Sequence, residues 1–240
     1  MQCSDCVVRE RAWQQQIHGQ TRRRQGQPGR LGRLIRRPQG VTLSIIGLTA
    51  IVSVLAFLSQ TVLAMLAYQP DVAVVQPWRL ISTALVHGGL LHLALNMLVL
   101  WMLGPALEER FGKLPFLAMY AVTAFAGSVA VPLLGSHNWV VGASGAVFGL
   151  FGVYIGVQRM IGRIDPQLLI IVGINLVFGF VVSGVAWQAH VGGLIAGFMI
   201  GFGTVWFARN RRKVQAPAWV AIGGTAAVAA AAWAAWIALG

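Results

Sequence analysis

Charged residues are scarce in this chain of 240 residues. Only 10% of them are Asp, Glu, Lys or Arg and 57% are hydrophobic, whereas an average soluble domain is roughly 25% charged. This composition excludes an ordinary water-soluble domain and predicts an all-α integral membrane protein. Apolar runs of about the 20 residues needed to cross a bilayer occur at residues 41–68, 80–103, 114–134, 141–158, 167–185, 187–207 and 217–239.

These runs divide the chain into three parts. Residues 1–40 are polar and rich in Gln, Arg and Gly, which is typical of a disordered cytoplasmic tail. Residues 41–207 contain six predicted spans and form the core. Residues 208–240 add a basic loop and a seventh predicted helix.

Acidic residues are rarer still, since the chain has only six: Asp5, Glu10, Asp71, Glu108, Glu109 and Asp165. We expect all of them in the tail or in loops. An intramembrane aspartyl protease needs two carboxylates that share a proton, so that mechanism is excluded. A zinc metalloprotease is excluded as well, because the sequence contains no His-Glu-x-x-His motif. We therefore predict a site without a catalytic metal or a cofactor.

Cysteine is limited to Cys3 and Cys6, which form a single Cys-x-x-Cys pair. That spacing is typical of one half of a zinc ribbon, but a structural zinc site needs four ligands and no second pair is present. Two interpretations stay open. The pair is either a partial zinc site, the last piece of a longer module that begins upstream, or two free cytosolic thiols.

The basic residues predict the orientation, because cytoplasmic loops retain Lys and Arg. Nine of the 18 basic residues precede residue 41, and the later clusters fall on the same side if the spans alternate. Arg79 is the exception. The run Arg22-Arg23-Arg24 is compatible with nucleic acid, but beside a first span we favour contact with anionic lipid headgroups and predict no nucleic-acid partner. We expect a multi-pass protein of the plasma membrane with its N-terminus in the cytoplasm and its C-terminus outside.

Polar residues gather at the predicted outer ends of the spans. Ser144 opens the fourth span and His190 the sixth, while His92 and Asn96 share one face of the second span. His87 precedes His92 by five residues, so on a continuous helix the two side chains diverge by about 140°. Polar groups at membrane depth are costly and usually functional. The alternative, that each group only stabilises helix packing, fits a single histidine better than this set.

The residue types then define a chemistry. Ser144 is a nucleophile and His190 a base, and no carboxylate is placed to complete a triad, so we predict a Ser-His dyad. His92, Asn96 and the backbone N–H of Ser144 are the candidate donors to an oxyanion. Stripes of glycine after both residues are expected to press the two helices together. They comprise Gly145 and Gly149 after Ser144, and Gly193, Gly197 and Gly201 after His190.

Together these motifs resemble the rhomboid family of intramembrane serine proteases. The matching motifs, within about residues 76–207, are Trp78-Arg79, His87-x4-His92-x3-Asn96, Gly142-x-Ser144-Gly145 and Ala189-His190-x2-Gly193-x3-Gly197. The resemblance implies a rhomboid-like six-helix core, the dyad and oxyanion contacts named above, and cleavage of single-span membrane proteins near the outer face. Phe148 departs from the family pattern, in which many members have Tyr beside the catalytic histidine. The Cys-x-x-Cys pair is similar to part of a zinc-binding N-terminal region in some actinobacterial members.

Two other functions are alternatives. A catalytically inactive rhomboid-like protein would bind substrates without cleaving them, but it is expected to lack Ser144 or His190. A membrane transporter would place polar residues along a path through the membrane, whereas here they gather at one side. The partners predicted by the leading interpretation are transmembrane protein substrates and the lipid bilayer.

The seven-span topology predicts the location of two reporter fusions. A reporter joined after Lys213 should report the cytoplasm and one joined after Gly240 the outside, since the last apolar run lies between them. Paired alkaline phosphatase and green fluorescent protein fusions measure both sides. A cytoplasmic signal from both positions would put residues 217–239 on the membrane surface and reduce the architecture to six spans.

Overall fold

The computed structural model describes residues 39–162, 164–181, 185–208 and 214–239. The predictions about residues 1–38 lie outside the described residues. They concern the disordered basic tail, its contact with anionic lipid, and the two interpretations of Cys3 and Cys6. The basic cluster at 209–213 lies outside the described residues as well.

The described chain is built from helices. In chain order they are α1 (Gly40–Leu58), α2 (Gln60–Leu66), α3 (Pro70–Ala73), α4 (Arg79–Ser82), α5 (Leu90–Phe111), α6 (Lys113–Leu133), α7 (Ser144–Met160), α8 (Pro166–Val181), α9 (Trp187–Ala208) and α10 (Gln215–Leu239). A 3-10 turn, Thr83–Leu85, follows α4. Within these ranges the β-type pairing is limited to one antiparallel bridge between Tyr68 and Val140.

Five of the described helices are long and apolar enough to cross a membrane: α1, α5, α6, α9 and α10. The prediction of an all-α membrane protein is thereby confirmed. α7 has 17 residues and α8 has 16, so each is roughly 24–26 Å long, less than the roughly 30 Å of a bilayer core. Most side chains of α7 are buried, because it packs against α5, α6 and α9. A helix enclosed by others does not have to match the bilayer thickness by itself.

The first two predicted spans have different bounds in the structure. The run 41–68 is interrupted at Ser59, whose extended backbone ends α1 and whose side-chain oxygen accepts a hydrogen bond from Val62 N–H at the start of α2. The run 80–103 is interrupted as well, and α5 begins only after Gly88-Gly89. Hydropathy misses both breaks, because a serine cap or a pair of glycines hardly lowers the apolar average of a long window.

The expectation that the acidic residues lie in the tail or in loops is wrong for Glu108 and Glu109, which belong to α5, and for Asp71, which belongs to the short α3. Glu108 is buried in the last turn of α5. Its carboxylate accepts hydrogen bonds from Val41 N–H at 2.9 Å, from Thr42 N–H at 2.8 Å and from the Thr42 hydroxyl at 2.8 Å. The first N–H groups of a helix have no acceptor within that helix, and the helix dipole favours a negative charge there. Glu108 therefore caps α1 and joins it to α5.

α7 and α9 pack backbone against backbone. A Cβ atom on three glycines of α9 would collide with carbonyl oxygens of α7, and a Cβ atom on two glycines of α7 would collide with the backbone of α9. The pairs are Gly193 with Gly145, Gly197 with Gly149, Gly201 with Val153, Gly152 with Leu194 and Gly156 with Phe198. Residues without a side chain permit this approach. The glycine stripes thus meet in one interface, which determines the register of the two helices.

Replacing Glu108 by Gln should destabilise the protein. A glutamine amide keeps only one acceptor oxygen, so its NH2 group would face the donor of Val41 or those of Thr42. Each buried donor without an acceptor costs roughly 1–3 kcal/mol. For a chain of this size we expect Tm to fall by about 2–12 °C. Glu109→Gln is the matched control, because Glu109 is exposed on the same helix and its loss should leave Tm unchanged. Circular dichroism in detergent measures both variants, and equal Tm values would contradict the capping role of Glu108.

Candidate active site

Ser144 and His190 line the same cavity. Ser144 is the first residue of α7 and His190 lies in the first turn of α9, and the packing of these helices brings both to one cavity. Its volume is about 170 Å³, and His92 and Asn96 of α5 also line it. The remaining wall consists of Leu95, Leu98, Val99, Val147, Phe148, Phe151, Asn175, Phe178, Gly179 and Val185. The structure thus brings together the four residues that the sequence analysis selected, and their chemical roles stay predictions.

The ring of His190 is buried and held by packing. It stacks on Phe148, with the ring centroids 4.3 Å apart and the planes 7° apart. Its Nδ1 atom has no hydrogen-bond partner among the described residues. It lies against Gly179 of α8, where a Cβ atom would be 3.0 Å from Nδ1. The ring therefore has the environment expected for the base of a dyad, without the carboxylate that orients the histidine of a triad.

Ser144 is partly exposed and has two groups that matter for the predicted chemistry, its Oγ atom and its backbone N–H. Within the described ranges no hydrogen bond joins its Oγ atom to the ring of His190. Such bonds are often long in the substrate-free state and shorten when substrate binds. The backbone N–H of Ser144 belongs to the first residue of α7 and so has no acceptor within the helix. One residue thus presents both a hydroxyl group and an N–H donor at the cavity.

Asn96 and His92 belong to consecutive turns of α5. Asn96 Nδ2 donates to the carbonyl oxygen of His92 at 2.9 Å, and since an Asn amide carries two N–H donors, one is left for a ligand. His92 is half-buried and packs against Gly142, where a Cβ atom would lie 2.6 Å from His92 Cε1. Gly142 also has φ of +124°, a region that favours glycine. The loop before Ser144 can therefore lie directly against a predicted oxyanion donor.

The loop before Ser144 is fastened by its own N–H groups. They donate from Val140 to Tyr68 O (2.8 Å), from Gly142 to Thr83 O (3.1 Å) and from Ala143 to His87 Nε2 (3.3 Å). Non-helical backbone at membrane depth is tolerated where the protein satisfies its polar groups. The sequence analysis did not select Tyr68 or Thr83, because both accept through backbone oxygens, which leave no signal in the side-chain pattern.

His87 does not lie on the second spanning helix, contrary to the sequence prediction. It lies between the 3-10 turn and α5, and Gly88-Gly89 separates it from the helix. Its ring meets the ring of His92 edge to face, with centroids 5.0 Å apart and planes at 72°. The predicted divergence applies to a continuous helix only, and the break in the helix removes it.

Trp78 and Arg79 donate hydrogen bonds to carbonyl groups at the end of α2. Arg79 is buried, and its Nη1 atom donates to the carbonyl oxygens of Ala64 and Ala67, the latter at 2.6 Å. Trp78 Nε1 donates to the carbonyl oxygen of Met65 at 3.3 Å. Basic side chains stabilise the last carbonyls of a helix. This contact explains why one basic residue lies apart from the predicted cytoplasmic clusters.

The fold and this cavity define a class, namely helical multi-pass membrane proteins in which a serine and a histidine come together from two tightly packed helices. A family model described as the rhomboid domain matches residues 74–207, more than half of the chain. The chain belongs to the rhomboid family, which confirms the resemblance inferred from its motifs.

Individual relatives are similar over about half of the chain. Rhomboid protease GluP of Bacillus subtilis (strain 168) is 38% identical over 126 residues, which are 50% of this chain and 25% of GluP. YdcA of the same organism is 36% identical over 141 residues, 56% of this chain and 71% of YdcA. RHOMBOID-like protein 4 of Arabidopsis thaliana is 39% identical over 132 residues, 52% of this chain and 33% of that protein. The chain thus matches about a quarter of the length of GluP.

Replacing Gly142 by Ala should lower the rate at which a fluorophosphonate probe labels Ser144 by about tenfold or more. The new Cβ atom would displace the ring of His92, and Ala is strained at this φ. Gly135→Ala is the matched control, because Gly135 also has a positive φ, of +76°, but open space around it. In-gel fluorescence measures the rate for both variants. Similar rates would show that the contact between Gly142 and His92 is unimportant.

Proposed function

We propose that this protein is an intramembrane serine endopeptidase that cleaves single-span membrane proteins near the outer membrane face. Ser144 is the nucleophile and His190 the general base. The observation that carries this proposal is the cavity in which both residues meet two side-chain donors of α5. Membership of the rhomboid family and the protease name of GluP support it.

Acylation is the first half of the reaction. His190 accepts the proton of Ser144 Oγ while that oxygen attacks the scissile carbonyl carbon. The former carbonyl oxygen becomes an oxyanion and accepts hydrogen bonds from Ser144 N–H, Asn96 and His92. Each such donor contributes roughly 2.7–4 kcal/mol to transition-state stabilisation. His190 then gives its proton to the leaving amine, and the acyl group stays on Ser144.

Deacylation reverses the roles with water as the nucleophile. His190 accepts a proton from the water that attacks the acyl carbon, and Ser144 leaves with a proton on Oγ. Water has to reach the cavity, which requires a position near a membrane face. Ser144 begins α7 whereas Arg159 lies in its last turn, and basic residues favour the cytoplasmic side. We therefore propose that the site lies at the outer face. We also propose the plasma membrane as location, with the N-terminus in the cytoplasm and the C-terminus outside.

The lining of the cavity supports a transmembrane segment as substrate. Most of the side chains that line it, on α5, α7 and α8, are apolar, which suits the side chains of a membrane-spanning helix. Asn96 of α5 and Asn175 of α8 add amide groups to this lining. A cleaved segment must expose its backbone polar groups, and amides can pair with them.

The two alternative functions are less well supported. An inactive rhomboid-like protein has no use for a serine and a histidine in one cavity, and this chain has both. A transporter needs a polar path, but the buried carboxylate of Glu108 is occupied by the first N–H groups of α1 and by the Thr42 hydroxyl. Both oxygens of that carboxylate are thus engaged by groups of the protein itself, so it supplies no separate transport site.

Ser144→Ala and His190→Ala should each abolish cleavage of a single-span model substrate, because each removes one member of the dyad. Asn96→Ala should be milder, with a loss of about 100-fold or less if the other donors still bind the oxyanion. Cleavage by protein purified in detergent or reconstituted in liposomes measures the effect.

Two substitutions serve as controls for these variants. Ser44→Ala removes a hydroxyl that bonds within α1, and His137→Ala removes an exposed loop histidine. Both should keep the activity of the parent protein. Residual cleavage by Ser144→Ala equal to that of the parent would refute the dyad.

A further inference from the structure

Ser53 is a fully buried polar residue on α1, away from the cavity of the proposed active site. Its hydroxyl lies 2.9 Å from the carbonyl oxygen of Leu85 and 3.0 Å from Nδ1 of His87. A serine hydroxyl has one proton to donate, and a carbonyl oxygen can only accept. Ser53 therefore donates to Leu85 O and accepts from His87, which requires the proton of the ring to be on Nδ1.

The other nitrogen of His87 then has a determined role. A neutral imidazole with a proton on Nδ1 has an acceptor at Nε2, and Ala143 N–H donates to that atom at 3.3 Å. In the opposite tautomer, Nε2–H would face the N–H of Ala143 and the Nδ1 lone pair would face a hydroxyl already bonded to Leu85. The bonds around the ring are thus all satisfied in one tautomer only.

The ring of His87 contacts both the segment that leads into Ser144 and the predicted oxyanion donor His92. Ala143 immediately precedes Ser144, so the Nε2 bond holds the residue next to the nucleophile. The edge of the ring meets the ring of His92 with centroids 5.0 Å apart. Ser53 and His87 are not among the residues that line the cavity, so neither is in a position to touch the substrate there.

We infer that Ser53 is a positioning residue that sets the tautomer of His87, and that through this ring the first helix holds the segment of Ser144 and the ring of His92 in their reactive arrangement. The inference rests on the proposed protease function. It assigns to α1 a role in catalysis, although α1 provides no residue to the cavity.

The test compares Ser53→Ala with Ser53→Thr. Loss of the hydroxyl should lower the fluorophosphonate labelling rate of Ser144 and kcat for a single-span substrate by about tenfold, which corresponds to about 1.4 kcal/mol. KM should change less than twofold, because no substrate contact is lost. Thr retains the hydroxyl and should restore most of the rate. Thr49→Val is the control, since Thr49 is buried one turn earlier on α1 with its hydroxyl unpaired among the described residues.

Two variants of His87 test the direction of the bonds independently of Ser53. In His87→Gln the amide oxygen can occupy the place of Nε2 and accept from Ala143, whereas His87→Asn reaches only the place of Nδ1. The Gln variant should therefore label faster than the Asn variant. If Ser53→Ala does not yield folded protein, the order of these two rates decides.

The outcomes separate the two proposals. All rates are measured well below the lowest Tm of the series, so that loss of stability alone does not lower them. A parent protein that labels no faster than Ser144→Ala refutes the protease function. If the parent protein does label, either of two results refutes the positioning role alone. One is a labelling rate in Ser53→Ala equal to that of the parent, and the other is a His87→Asn variant that labels as fast as His87→Gln.

Discussion

The direct backbone contact between α7 and α9 is the constraint on which the rest of the site depends. Ser144 and His190 each lie at the beginning of one of these helices, so their separation is determined by helix register and distance. Both quantities follow from glycines, such as Gly193 and Gly197, whose Cα atoms lie against carbonyl oxygens of the partner helix. Any side chain there would move the proposed nucleophile and base apart, even though it would touch neither.

Irregular backbone leads into this helix pair at Ser144, and irregular backbone is costly in a membrane unless its polar groups are paired. The segments around Tyr68, Thr83 and Val140 pair their polar groups by hydrogen bonding to one another. Arg79 pairs the last carbonyls of α2. The bonds of Val140 and Gly142, together with the bond from Ala143 N–H to His87, also position the segment that leads into Ser144. The bonds that satisfy this backbone are thus the bonds that hold it in place.

Buried polar side chains outside the cavity join helices that are distant in sequence. Glu108 connects the end of α5 to the beginning of α1, and Ser53 connects α1 to His87. In an apolar environment each of these groups needs a partner, and the nearest unsatisfied groups are helix ends and loops. A helix that supplies no residue to the cavity thereby contributes to the arrangement of the residues that do.

The sequence by itself determined the membrane class, the approximate helices and the four residues of the candidate site, because long apolar runs make isolated polar residues such as Ser144 and Asn96 conspicuous. It did not predict the breaks at Ser59 and Gly88-Gly89, the helical position of Glu108 or the contact between the rings of His87 and His92. Those features depend on helix caps and on side-chain contacts, which hydropathy does not register. The cap at Ser59 is local, because its partner Val62 lies three residues away. The partners of Glu108 and the contact between the two histidine rings exist only once the helices pack, so the tertiary structure alone decided them.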